Sequence, residues 1–131
     1  MALGSNLGDR AAHLRAARDA LDALPGTRLV AASIIEETAP LGGMDQPPYL
    51  NQMVLLETKL DPRALLQATQ SIERQEGRQR TEHWGARTLD LDIVRFGNRQ
   101  VKDSDLIIPH PELPNRDFWR RELAELSPDE R

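Results

Sequence analysis

An α+β sandwich with a mixed, mainly antiparallel sheet flanked by helices is the fold class this sequence predicts. Two amphipathic helical segments alternate with short β-branched or apolar runs, and strong helix punctuation stands at Pro25-Gly26 and Asp61-Pro62. The chain has 131 residues, 39% hydrophobic and 29% charged, which suits one globular domain over 1–131 rather than a disordered chain.

Residues 1–3 read as a strand stub, followed by Gly4, Ser5, Asn6 and Gly8, which tolerate tight turns. From Asp9 to Leu24, Leu14, Ala17, Leu21 and Leu24 recur at helical spacing. Residues 28–35 read as a strand. The stretch from Ala39 to Pro48 has three Pro and two Gly, so it is a loop. Residues 50–58 read as the next strand, with Met53, Leu55 and Glu57 opposite Val54 and Leu56. Asp61-Pro62 supplies a helix cap and a first-turn proline, Leu65, Leu66, Thr69 and Ile72 form an inward stripe, and Gly77 suits the helix end. A basic polar loop over 78–87 leads into a strand over 89–96 that stops at Gly97-Asn98. A short hairpin partner, a brief strand over 106–108 and a helix over 117–126 complete the chain. The order β-α-β-β-α-β-β plus a terminal helix suggests a ferredoxin-like α/β sandwich.

Composition excludes several classes. No apolar run approaches the roughly 20 residues that cross a bilayer, and no signal peptide opens the chain, so no membrane partner is expected. The net charge of −4 and the lack of a stacking sheet argue against a nucleic-acid binder. With no Cys there are no disulfides and no thiolate metal sites, and the reducing cytoplasm is the default location. With no His cluster either, oxygen ligation is the only obvious metal chemistry.

The sharpest local feature is Arg87-Thr88-Leu89-Asp90-Leu91-Asp92-Ile93. In a strand, Asp90 and Asp92 share one face, with Cβ atoms roughly 6.5–7 Å apart. At an effective dielectric near 20 their charges repel by about 2.5 kcal/mol. Such a pair is either the solvated face of an edge strand or a platform for a hard cation such as Mg²⁺. Arg78, Arg80 and Arg87 just before it are either a solvated charge run or guanidinium forks for phosphate oxygens. A cationic loop feeding a strand with paired acids looks like a polyphosphate–Mg²⁺ site, although Gly4-Ser5-Asn6-Leu7-Gly8 is no Walker loop. Pro109-His110-Pro111 with Asn115-Arg116 is either a plain surface turn or a second set of phosphate contacts. Tyr49 and Asn51 share a strand face, which suits a planar heterocycle, whereas cross-strand packing is the plainer role for the Tyr.

Together these segments resemble the 6-hydroxymethyl-7,8-dihydropterin pyrophosphokinase family over nearly the whole chain. The resemblance rests on Ala2–Gly8, Thr38–Gly42, Asp45–Asn51, Arg78–Arg80, Trp84–Asp92, Pro109–Pro111 and Asn115-Arg116. It implies transfer of the diphosphate of ATP to the pterin hydroxymethyl oxygen, with AMP released, in folate biosynthesis. It further implies that Asp90 and Asp92 hold two Mg²⁺ ions, with Arg78 and Arg87 as catalytic partners. Gln70, Arg80, Trp84, Arg87, Ile93, His110 and Arg116 match ATP contacts, Trp84 lying in a loop that closes over the nucleotide. Thr38, Pro40, Leu41, Tyr49, Asn51 and Phe118 match the pterin pocket. The expected partners are ATP and the reduced pterin, with a monomer expected and a dimer left open. The chain departs from the family at Thr81, His83 and Asp105, where cations are common, and is shorter at both ends, either as a compact form or a trimmed sequence. A nucleotidyltransferase, which also carries Gly-Ser and Asp-x-Asp, is the alternative. Here Gly4-Ser5 and Asp90 lie 85–86 positions apart, against the close spacing of that signature.

Overall fold

The computed structural model describes residues 1–39, 48–77 and 88–126. Strand β1 (Ala2–Ser5) leads into helix α1 (Arg10–Asp22), then β2 (Thr27–Ala32), β3 (Glu36–Thr38) and β4 (Tyr49–Thr58). Helix α2 (Pro62–Gln75) precedes β5 (Asp90–Asp92), the hairpin β6 (Val101–Lys102) and β7 (Ile107–Ile108), a 3-10 turn at Leu113–Asn115, and α3 (Asp117–Leu126).

The sheet order is β2-β4-β1-β5, with β3 also on β4, and each of these pairings is antiparallel. β1 and β2 are thus parallel with β4 between them, and β4 and β5 are parallel with β1 between them. Two interleaved βαβ units of this kind are the ferredoxin-like plan that the order of elements predicts.

Both long helices start where the sequence marks them. Asp9 accepts from the Ala12 amide at 3.1 Å and Asp61 from the Ala64 amide at 2.8 Å. Each such cap contributes about 1 kcal/mol. Gly77, at φ +86, takes the left-handed position after α2. Helix α1 buries Leu14, Ala17 and Leu21 completely against one face of the sheet, and α2 adds Leu65 and Ile72. On the opposite face, Ala2 and Met53 pack with Val94, Leu113 and Trp119, under α3.

Helices on both faces explain why the expected alternation along β4 breaks down. Asn51, Gln52, Met53 and Val54 are all buried, and alternation returns only from Leu55 onward. Three further expectations are corrected. Gly4 and Ser5 belong to β1 rather than to a turn, because they pair with β4 on one side and Gly4 with β5 on the other. The strand expected over 28–35 is cut at Ser33, whose Oγ accepts the Met53 amide at 2.9 Å in place of a further strand residue. The strand expected over 89–96 is regular only over Asp90–Asp92, and Val94 accepts instead from the His110 amide at 2.9 Å.

One buried acid titrates out of its usual range. Glu122 on α3 is 3% exposed, and neither carboxyl oxygen has a conventional partner among the described residues. Burial first, and the neighbouring Glu36 carboxyl second, push its pKa up to about 8, with Glu125 adding and Arg121 opposing. The folded state therefore holds a proton that the unfolded chain releases near pH 4.5. Stability should fall as pH rises from about 4.5 through about 8 and be fully reduced above that. In thermal melts, Glu122→Gln should flatten this decline. A decline between pH 6 and 9 equal to that of the parent would contradict the assignment.

Candidate active site

Paired residues on neighbouring strands present their side chains to the same face. The register therefore assembles one polar surface from four strands. Gly4 is paired with Asp90 on one side and Asn51 on the other, and Asn51 is paired in turn with Glu36. In the next rows Ala2 lies between Asp92 and Met53, and Thr38 pairs with Tyr49. Asp90, Asp92, Asn51, Tyr49 and Thr38 thus share the face on which α3 packs.

The two carboxylates stand on an edge strand that is held from behind. Glu73, buried on α2, accepts the Leu91 amide at 2.8 Å through Oε2. This bond ties down the peptide between Asp90 and Asp92 where another strand would otherwise pair. Sequence reasoning missed Glu73. The available signal was a carboxylate four residues after Thr69 and next to Ile72, on the apolar stripe of α2.

Asp92 meets the turn after β7. The His110 Nε2 lies 3.8 Å from its Oδ1. The Ile108–Pro109 bond before this turn is cis. The Glu112 amide donates to His110 Nδ1 at 3.1 Å, so a neutral imidazole carries its proton on Nε2, toward Asp92. Burial lowers the His110 pKa, Asp92 opposes that shift, and Arg116 adds to it. Trp119 is the common support. The His110 ring meets it edge-on at 5.0 Å, and the Arg116 guanidinium stacks 4.4 Å from its centroid. The sequence reading left Trp119 out of the site, yet it aligns two of the residues placed there. Arg116 Nε is buried with no hydrogen-bond partner among the described residues, a donor suited to an anionic ligand.

Asp92, Ile93 and His110 line a cavity of about 240 Å³, with Leu66 and Ile107 among its apolar walls. Gln70 is exposed on α2, one turn beyond Leu66, and does not line the cavity itself. Asp105 does line it, and its charge is met by Arg63 of α2 at 2.8 Å, which also reaches Asp103 at 2.7 Å. This pairing holds the Asp105 carboxyl below its ordinary pKa and raises that of Arg63.

At the other end of the face, the Asn51 amide is fixed by donating to Thr38 Oγ1 at 2.6 Å. Its Oδ1 then lies over Gly4. Tyr49 is half-buried on the same strand, and Phe118 is half-buried on α3 beside Trp119 at 6.3 Å. Pro40, Leu41, Arg78, Arg80, Trp84 and Arg87 lie outside the described residues. Thus the carboxylate and His110/Arg116 groups come together at one end of the face, with the Tyr49/Asn51/Thr38 group across Gly4 from them.

Residues 1–128 match the 7,8-dihydro-6-hydroxymethylpterin-pyrophosphokinase family. The chain belongs to this family. It is 43% identical over 129 residues to the 2-amino-4-hydroxy-6-hydroxymethyldihydropteridine pyrophosphokinase of Haemophilus influenzae, covering 98% of this chain and 81% of that one. To the enzyme of the same name from Pseudomonas aeruginosa it is 46% identical, covering 98% and 80%. To that of Bacillus subtilis it is 43% identical over 126 residues, covering 96% and 75%. The protein is accordingly an enzyme, a diphosphokinase. No described helix is long and apolar enough to cross a membrane.

Proposed function

We propose that Asp90 and Asp92, with His110 and Arg116, receive the triphosphate of ATP, and that Tyr49, Asn51, Thr38 and Phe118 receive the pterin. The reaction is pyrophosphoryl transfer from ATP to 6-hydroxymethyl-7,8-dihydropterin in folate biosynthesis. The hydroxymethyl oxygen forms a bond to the β-phosphorus, the bond from that phosphorus to the α-phosphate bridge breaks, AMP departs, and the hydroxyl proton is released.

The observation that carries the nucleotide assignment is the approach of His110 to Asp92 at the wall of one cavity, with Arg116 stacked on the same indole as His110 and its Nε buried and unpartnered among the described residues. No group of three or more potential metal-ligating side chains occurs among the described residues. Two strand carboxylates nevertheless fit Mg²⁺, which typically takes one or two carboxylates and completes its shell with phosphate oxygens and water. Asp90 and Asp92 would hold two such ions. The ions would offset the carboxylate repulsion and the charge developing on the transferred group.

The chain's own groups then bind and orient. The Nε2–H of His110 and the guanidinium of Arg116 donate to phosphate oxygens, and Trp119 fixes both. Ile93 and the neighbouring apolar wall exclude water from the nucleotide. Asn51, held by Thr38, offers an acceptor and a donor to the pterin edge, while Tyr49 and Phe118 offer ring faces. Gln70 lies one turn beyond the cavity wall and would be a peripheral nucleotide contact. Arg78, Arg80, Arg87 and Trp84, and Pro40 and Leu41, are assigned to nucleotide and pterin on sequence alone. All these residues come from one chain, so the reading needs no second subunit and no nucleic-acid or membrane partner. A Cys-free enzyme that consumes ATP suits the cytoplasm.

Calorimetric titration with a non-hydrolysable ATP analogue and Mg²⁺ tests the nucleotide assignment. Arg116→Ala should weaken binding at least about tenfold, in line with the loss of a charge-assisted contact of roughly 1.5–3 kcal/mol. Unchanged affinity in a folded variant would remove Arg116 from the site.

A further inference from the structure

We infer that Gly4 is a positioning residue: its missing side chain is the gap in the sheet face through which the two substrates approach each other. The inference rests on the proposed roles of Asp90 and Asn51.

Gly4 is the central member of a row whose two neighbours are Asp90 and Asn51. With strands about 4.8 Å apart, the Cα atoms of Asp90 and Asn51 are roughly 9.5 Å apart, with Gly4 midway. The adjoining row has the same layout but is closed. There Ala2 stands between Asp92 and Met53, and its methyl packs in the cluster with Val94, Leu113 and Trp119. The Gly4 row is the place where the face carries no side chain between the nucleotide end and the pterin end.

Backbone geometry does not require glycine here. Gly4 lies in regular strand β1, and the positive-φ glycines are Gly8, Gly26, Gly77 and Gly97. Among the described residues, a Cβ added at Gly4 would meet Asn51 Oδ1 at 3.5 Å, Tyr49 Cδ1 at 3.5 Å and the Leu50 carbonyl at 3.9 Å. These are ordinary van der Waals contacts. A methyl group would therefore fit the protein, but it would occupy the floor beside the amide and ring proposed to hold the pterin. Group transfer needs reacting atoms about 3–3.5 Å apart, so a methyl there keeps the hydroxymethyl oxygen from closing on the phosphate.

The test is Gly4→Ala, measured for melting temperature, for nucleotide affinity without pterin, and for kcat. The expected result is a melting temperature and nucleotide affinity close to those of the parent, with kcat lowered at least about tenfold. A parental kcat would overturn the inference, as would a loss of turnover matched by an equal loss of folded protein. Failure of Gly4→Ala to fold would also overturn the inference, because a methyl group meets only ordinary van der Waals contacts there. Asp90→Asn and Asn51→Ala separate the two levels of the claim. If either retains parental kinetics, the underlying site reading fails. If both are impaired while Gly4→Ala is not, only the role of Gly4 fails.

Discussion

Asp90→Ala and Asp92→Ala should each lower kcat by at least about a hundredfold while leaving a folded protein. Removing one preorganised electrostatic contact in a site of this kind commonly costs a factor of about 10² to 10³, or about 2.7–4 kcal/mol of transition-state stabilisation. The fold should persist because the hydrophobic contacts of β5 come from Leu91, which packs in the main core with Leu89 and Ile93. Asp92 keeps 41% of its side-chain surface exposed. Circular dichroism and single-turnover kinetics read the two effects separately. A parental rate in either variant would remove that carboxylate from the site, and unfolding would show that β5 depends on it.

Tyr49→Ala should weaken pterin binding by about 2 kcal/mol, or roughly thirtyfold in Kd, with nucleotide affinity unchanged. An aromatic contact contributes about 0.5–1.5 kcal/mol beyond burial, and the lost ring area supplies the rest. Tyr49 lies at the start of β4, paired with Thr38 at the far end of the face from Asp92 and His110. Fluorescence titration with the pterin and calorimetry with the nucleotide analogue distinguish the two ends. Equal losses for both ligands would contradict the separation along the face.

Much of the fold was legible because its determinants are local. The Asp9 and Asp61 caps, the Pro25-Gly26 stop and the Leu14–Leu21 stripe each act within one or two turns of chain. The misreadings came from contacts distant in sequence. Gly4 and Ser5 have the composition of a turn, and only pairing with strands roughly fifty and ninety residues away makes them strand. The burial of four consecutive residues in β4 requires a helix on each face, and α3, which supplies the second, lies far downstream.

The site follows the same division. Asp90 and Asp92 could be placed on one face from the period of a strand alone, and so could Tyr49 and Asn51. That these two pairs share a face, with Gly4 between them, depends on strand register and was not readable. Neither was Trp119 as the support for His110 and Arg116, since which side chains rest on its indole is set by tertiary packing. Glu73 illustrates the subtler case: a buried carboxylate in an apolar stripe signals a partner, but not which amide it accepts.

The most direct test is to incubate the protein with ATP, Mg²⁺ and 6-hydroxymethyl-7,8-dihydropterin and follow phosphorus-containing products. The expected result is AMP formed one-for-one with the diphosphorylated pterin, strictly dependent on the pterin and slowed at least about a hundredfold in Asp92→Ala. Release of free pyrophosphate with a nucleotidylated product, or AMP formation at the parental rate in Asp92→Ala, would contradict it.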